Sequence, residues 1–221
     1  MKSHSSIALG DCHNFGKSVR KAGQGLLHKP RPVYLERLFL GTIDFRSKVN
    51  EVFDRQGLPS PFAWLPELVF GGADLYEEGY VEEIELNEPD GDLPDSDFEG
   101  IGCVIALLVW FGLGALHCQN ILSGRSTVNG QFIFTPIDIE CALERIGLPS
   151  DALLLPGKIR DDFCGLWPLF TVAAQAGSFA HSSAAAIAHG FYYTMRIPLA
   201  SRLPGFIHAS KPAVSMKNGW R

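Results

Sequence analysis

Four residues, Lys29, Glu36, Asn120 and Asp138, have the types and the chain order that phosphoryl-transfer chemistry could use. That chemistry needs a lysine to neutralise phosphate charge, and an amide and a carboxylate that offer oxygen ligands to magnesium. It also needs a loop residue to orient the attacking hydroxyl. Lys29 ends the short apolar run "GLLHK", just before Pro30 and Pro32. Glu36, on the segment that follows, is placed to orient it. Asn120 lies with His117 in "ALHCQNILSG", directly after the apolar stretch "IGCVIALLVWFGLG". Asp138 and Glu140 close the run "QFIFTPIDIE". The spacing suggests two loops carrying an imidazole, an amide and two carboxylates, converging on one metal–nucleotide site. Each piece also has a plainer account: a lysine at a strand end is commonly solvated, and Asn-Ile-Leu-Ser-Gly or Asp-x-Glu is commonly chain punctuation.

The elements that must position these residues follow from periodicity and breakers. Residues 1–33 read as a strand-rich start with turns at Gly10, Gly16 and Gly23–Gly25. Apolar residues at helical spacing predict one helix from about 33 to 55, stopped at Gly57. Short strands are expected at 67–72 and 78–86, then an acidic Pro/Gly-rich loop at 87–97. Asp95 or Ser96 is placed to cap a buried helix running from about 97 to 116, with Glu99 in its first turn. A turn at "GRSTVNG" and a strand at 131–139 complete a hairpin. The Ala-rich stretch 169–195 suggests two helices broken near Gly177, and no internal repeat is visible. The order predicts an α+β protein with a small strand-rich lobe over 1–86, the acidic loop 87–97, and a helical lobe over 98–221.

Composition narrows the setting. The 221 residues suffice for one large domain, or a main domain with an appendage. A net charge of −5 argues against a general nucleic-acid binder. Residues 17–37 nevertheless hold Lys17, Arg20, Lys21, Lys29, Arg31 and Arg37, a basic cluster whose simplest account is a solvated surface. Five cysteines without C-x-x-C spacing indicate neither a disulfide framework nor a zinc site. Free thiols in a reducing cytoplasm are expected. The N-terminus lacks the apolar core of a signal peptide. The apolar run 101–116 is shorter than a spanning helix, so no membrane span is expected.

Five segments in order resemble the dehydratase domain of class II (LanM-type) lanthipeptide synthetases. They are "GDCHNFGKSV" (10–19), "LLHKPRP" (26–32), "GYVEEI" (79–84), "FEGIGCVIALLVWFGLGALHCQNIL" (98–122) and "FTPIDIECAL" (134–143). The family's patterns run roughly G-D-x-H-x-x-G-x-x-V, Y-K-P-R, W-V-E, D-L-H-x-x-N and P-V-L-x-D-x-E-T. The resemblance implies a two-lobed, lipid-kinase-like core. It implies ATP and Mg2+ as cofactors and a precursor peptide as substrate, whose Ser/Thr are phosphorylated and then lose phosphate. Carried over by position, it makes Lys29 the phosphate-contacting lysine and Asn120 and Asp138 the magnesium ligands, with Glu140 beside them. His117 becomes a catalytic-loop residue. Asp11 and His13 match the D-x-H linked to phosphate elimination, and an Asp–His pair suits proton transfer near neutral pH.

Departures from the pattern set the alternatives. The catalytic-loop Asp is Ala115 here, Tyr before the lysine is His28, and the Trp of W-V-E is Tyr80. Residues 144–221 match poorly, with Arg196 and Arg202 as stand-ins for the family's later elimination residues. No Cys/His cluster suits the cyclase zinc. The expectation is a kinase-core-sized piece that works with a separate cyclase or a missing dehydratase portion. The alternatives are a pseudokinase-like scaffold weakened by Ala115, and a fragment without a stable fold.

Overall fold

A computed structural model describes residues 8–13, 17–42, 44–57, 59–87, 93–139, 142, 153–154, 164–167, 169 and 181–195. The chain is mixed α+β, with two antiparallel sheets and four α-helices among the described residues. Strands β1 (Ala8–His13), β2 (Lys17–Gly23) and β3 (Leu26–Lys29) form a meander. Its second turn is tight because Gly23, Gln24 and Gly25 all adopt positive φ, of 87°, 54° and 71°. Glycine tolerates that region freely. β4 (Phe70–Gly71) and β5 (Gly79–Glu82) complete a five-stranded sheet of order β1-β2-β3-β5-β4. Leu27 pairs with Val81 and Lys29 with Gly79. Strand alternation puts Leu27 and Lys29 on one face of the sheet and His28 on the other.

Pro30 and Pro32 stop β3, and α1 (Tyr34–Leu40) begins at once without a side-chain cap. Glu36, Phe39 and Leu40 are its buried residues, at i, i+3 and i+4. One stripe therefore carries both the apolar anchors and the carboxylate inward. The single helix expected over 33–55 is two helices. The chain is extended at Gly41, whose N–H closes on Arg37 O, and α2 runs over Asp44–Asp54. A Cβ at Gly41 would stand 2.6 Å from Arg37 O, so the break needs glycine. Gly41 instead bridges Leu68, whose N–H bonds Leu40 O at 2.6 Å. Phe39, Phe45 and Phe111 pack edge to face across this corner.

After a 3-10 turn (Pro61–Trp64) and β6 (Leu86–Asn87), α3 spans Asp95–Trp110. Its N-cap is Pro94 rather than Asp95 or Ser96, and Asp95 and Asp97 sit in the first turn, where carboxylates complement the helix dipole. Everything from Gly100 to Val109 is buried, as an apolar run on all faces requires. The helix ends earlier than 116. Gly112 turns to φ 55°, Leu113 N–H reaches Leu108 O and Gly112 N–H reaches Val109 O, a Schellman closure. α4 (His181–Met195) crosses α3 closely at Gly102 and Gly190. The two helices expected over 169–195 are thus represented by α4, and the break near Gly177 lies outside the described residues.

The second sheet has order β6-β7-β8, with β7 at Ile121–Ser126 and β8 at Phe132–Pro136. All five β8 residues are buried. β7, unrecognised in the sequence, pairs along its length with β8, from Ile121 opposite Pro136 to Arg125 opposite Phe132. No described helix is long and apolar enough to cross a membrane.

Candidate phosphate and metal site

Residues 137–139, the segment leaving β8, are where the dispersed polar residues meet. Asn120 immediately precedes β7, and its carbonyl accepts the Ile137 N–H at 3.0 Å. The β7–β8 ladder therefore places Asn120 beside Asp138, although eighteen positions separate them in the chain. From the other sheet, the Lys29 ammonium donates to Ile137 O. From α1, Glu36 Oε1 accepts the Ile139 N–H at 3.3 Å. Three separate elements thus grip one tripeptide.

Glu36 is the hub. Its carboxylate oxygens each lie 2.9 Å from Lys29 Nζ, and Arg31 reaches Oε1 at 2.5 Å. Glu36 is 1 % exposed, so its charge is maintained by these donors rather than by water. Arg31 also donates to Pro32 O and ion-pairs with Asp138 Oδ1. Burial lowers the Lys29 pKa below the ordinary lysine value; Glu36 opposes the shift, Arg31 adds to it and Asp138 opposes it.

A cleft of about 500 Å³ opens over this network. Val19, Leu27, Val81 and Leu122 form its apolar wall, and Glu82, which ends β5, lies along it with Glu83 and Ile84. Lys29, Arg31, Glu36, Asn120 and Asp138 form its polar end. A cleft of this size with one apolar wall and a few convergent polar groups suits a small organic ligand.

Lys29, Glu36, Asn120 and Asp138, chosen from the sequence, are therefore brought together. His117 is not among the cleft-lining residues; its backbone bridges Cys164. Asp11 and His13 lie on β1, which pairs with β2, but only their backbone is described. Glu140, Arg196 and Arg202 lie outside the described residues. Arg31 is the residue missed. It was grouped with a solvated basic patch, yet Lys29 and Arg31 are 6 % and 3 % exposed. The available signal was K-P-R: proline forces an extended segment, and alternate residues of an extended segment share a side.

The donor set bears on magnesium. Among the described residues no three His, Cys, Asp or Glu side chains cluster tightly enough to hold a metal alone. Asn120 gives its Nδ2–H to Ala115 O at 3.0 Å, which leaves its amide oxygen as a ligand. An amide oxygen and a carboxylate suit magnesium, which commonly takes few protein ligands and completes its shell with phosphates and water. Asn120 and Asp138 thus fit the ion, with Arg31 holding one Asp138 oxygen.

Ala115 adopts φ 56°. This left-handed conformation is uncommon for alanine and several-fold enriched in Asn and Asp. The position is exposed, so packing does not explain the choice of residue.

No protein-family model and no curated protein matches the chain.

Proposed function

We propose that the cleft is a kinase-like nucleotide site, and that the chain acts in lanthipeptide-type modification of peptide Ser and Thr side chains. The observation that carries this is the Lys29–Glu36 pair abutting Asn120 and Asp138 across one cleft. Protein kinases need a Lys–Glu ion pair, an amide and a carboxylate in this relation. The five sequence motifs supply the peptide substrate class. Two positions that depart from those motifs, His28 and Tyr80, are cross-strand partners with ring centroids 5.0 Å apart.

Lys29, held by Glu36, meets the phosphates of ATP. Asn120 and Asp138 would hold magnesium, which would supply charge neutralisation at the phosphates. The Ser or Thr oxygen bonds to the γ-phosphorus as the bond to the bridging oxygen breaks, and ADP leaves with those electrons. The loop carboxylate is Ala115 here and His117 does not line the cleft, so the hydroxyl proton passes to water. In elimination a base takes the Cα proton, the Cβ–O bond breaks, phosphate departs and a dehydro residue remains. Asp11 and His13 are assigned to that proton transfer.

A second reading rests on Ala115. A positioned base contributes about 10²–10⁴-fold to such a reaction, and this loop lacks its carboxylate. The chain is then a nucleotide-binding pseudokinase that scaffolds partner enzymes. Mass spectrometry of Ser/Thr-containing peptides incubated with the chain and Mg-ATP separates the two. Gain of one phosphate or loss of one water, absent in Lys29→Met, supports the enzyme. Unchanged peptide alongside bound nucleotide supports the scaffold.

A further inference from the structure

The Arg31 guanidinium faces two carboxylates at once, Glu36 Oε1 at 2.5 Å and Asp138 Oδ1 in an ion pair. Glu36 needs it less than Asp138 does. Glu36 also receives Lys29 on both oxygens and the Ile139 N–H. Among the described residues Arg31 is the cation within salt-bridge distance of Asp138, whose side chain keeps 23 % exposure while Oδ1 is buried. The charge around the cleft sharpens the point. Its lining holds Lys29 and Arg31 against Glu36, Glu82, Glu83 and Asp138. Lys21, ion-paired with Glu83 at 2.7 Å, adds one further positive charge. Such a balance does not attract a bare polyphosphate, which would require a divalent cation to enter with it. A divalent cation on Asp138 would in turn stand beside the buried guanidinium, and like charges at that separation repel strongly in a partly dry site.

We propose that Arg31 is a positioning residue that competes with the divalent cation for Asp138. When metal-bound phosphate enters, the guanidinium leaves Asp138, stays anchored to Glu36, and turns its remaining donors to the phosphate oxygens. Guanidinium suits both partners because its fork pairs equally with carboxylate and phosphate. Arg31 thereby couples the two halves of the site: metal reaches Asp138 only when a phosphate arrives to take the cation it displaces. This rests on the nucleotide reading for its ligand, but the competition itself is a property of Arg31 and Asp138.

The test is Mn2+ affinity, read from the electron paramagnetic resonance of free aquo-Mn2+, for the full chain and for Arg31→Gln, Arg31→Lys and Arg31→Gln/Asp138→Asn. Competition predicts that Arg31→Gln binds Mn2+ at least about fivefold more tightly than the native chain. Arg31→Lys, which keeps a positive charge near Asp138, shows a smaller gain, and the double variant shows none. With Mn-ATP in place of Mn2+ the order inverts, because Arg31→Gln has lost a phosphate donor. Equal or weaker Mn2+ binding in Arg31→Gln overturns the proposal. Lys29 remains to compensate Glu36, so both single variants should fold; unfolding of both would make Arg31 a structural counter-charge and also overturn it. If Mn-ATP fails to bind any form while the Mn2+ order holds, the nucleotide reading fails and the competition stands.

Discussion

Lys29 Nζ lies 2.9 Å from each carboxylate oxygen of Glu36, a symmetric contact between the end of β3 and the first turn of α1. Both charges are almost wholly buried, so neither is maintained by solvent. A buried pair is no guarantee of stability, but breaking one leaves an uncompensated charge. The contact ties the end of β3 to α1, and it makes Glu36 the residue whose loss should be felt most widely.

Glu36→Gln should destabilise the fold by about 3–5 kcal/mol, the usual cost of stranding buried partners. Here both Lys29 and Arg31 lose their shared carboxylate. Urea unfolding followed by circular dichroism checks this. A loss below about 1 kcal/mol would place the pair in a wetter setting than the structure gives.

Anion binding at this site should fall on an alkaline limb that begins early. Burial lowers the Lys29 pKa below the ordinary 10.5, so the ammonium is lost at a lower pH than a free lysine would lose it. The linkage sign is explicit. Between the folded and unfolded pKa values the unfolded chain binds more protons at this position, so this group makes stability rise with pH there, while ligand binding falls. Nucleotide affinity against pH in the native chain, set beside unfolding free energy in the native chain and Lys29→Met, should show opposite slopes below 10.5 and no such stability rise in the variant.

At Ala115, φ 56° predicts the rank of substitutions. Ala115→Gly and Ala115→Asp should melt above the native chain, by roughly 0.5–1 kcal/mol, because glycine and aspartate accept the left-handed region. Ala115→Val should melt below it, since β-branching is disfavoured there. Catalysis separates the first two: only Ala115→Asp should raise phosphoryl transfer, by about 10²-fold or more.

The α3–α4 crossing has its own test. A Cβ at Gly102 would stand 2.0 Å from Ile187 O, and one at Gly190 would stand 2.0 Å from Glu99 O. Backbone cannot yield as a side chain does, so either alanine substitution should cost about 1–3 kcal/mol or more. Gly114 faces open space, and Gly114→Ala should change thermal stability by less than about 0.5 kcal/mol.

The parts of this fold that were legible in sequence are those written in local chemistry. Gly23–Gly25 marked the β2–β3 turn, whereas Gly10, also expected to turn, lies inside β1; an unbroken apolar run announced α3 as buried. Lys29, Glu36, Asn120 and Asp138 stood out in sequence by type and order, and β7–β8 pairing brings the last two together. Three things were hidden. The break at Gly41 depends on a bridge to Leu68, a contact that helical periodicity over 33–55 does not encode. β7 reads as a polar turn because "ILSGRS" owes its strand form to β6 and β8 on either side. Arg31 looked like surface charge because only the tertiary arrangement supplies the two carboxylates that bury it.

Calorimetric titration of Mg-ATP into the 221-residue chain, beside Lys29→Met and Asp138→Asn, addresses the central claim most directly. One saturable site in the native chain, weakened at least about tenfold in each variant, is the predicted result; that factor is about 1.4 kcal/mol. A folded native chain that takes up no Mg-ATP, or variants that bind as well as the native chain, would contradict it.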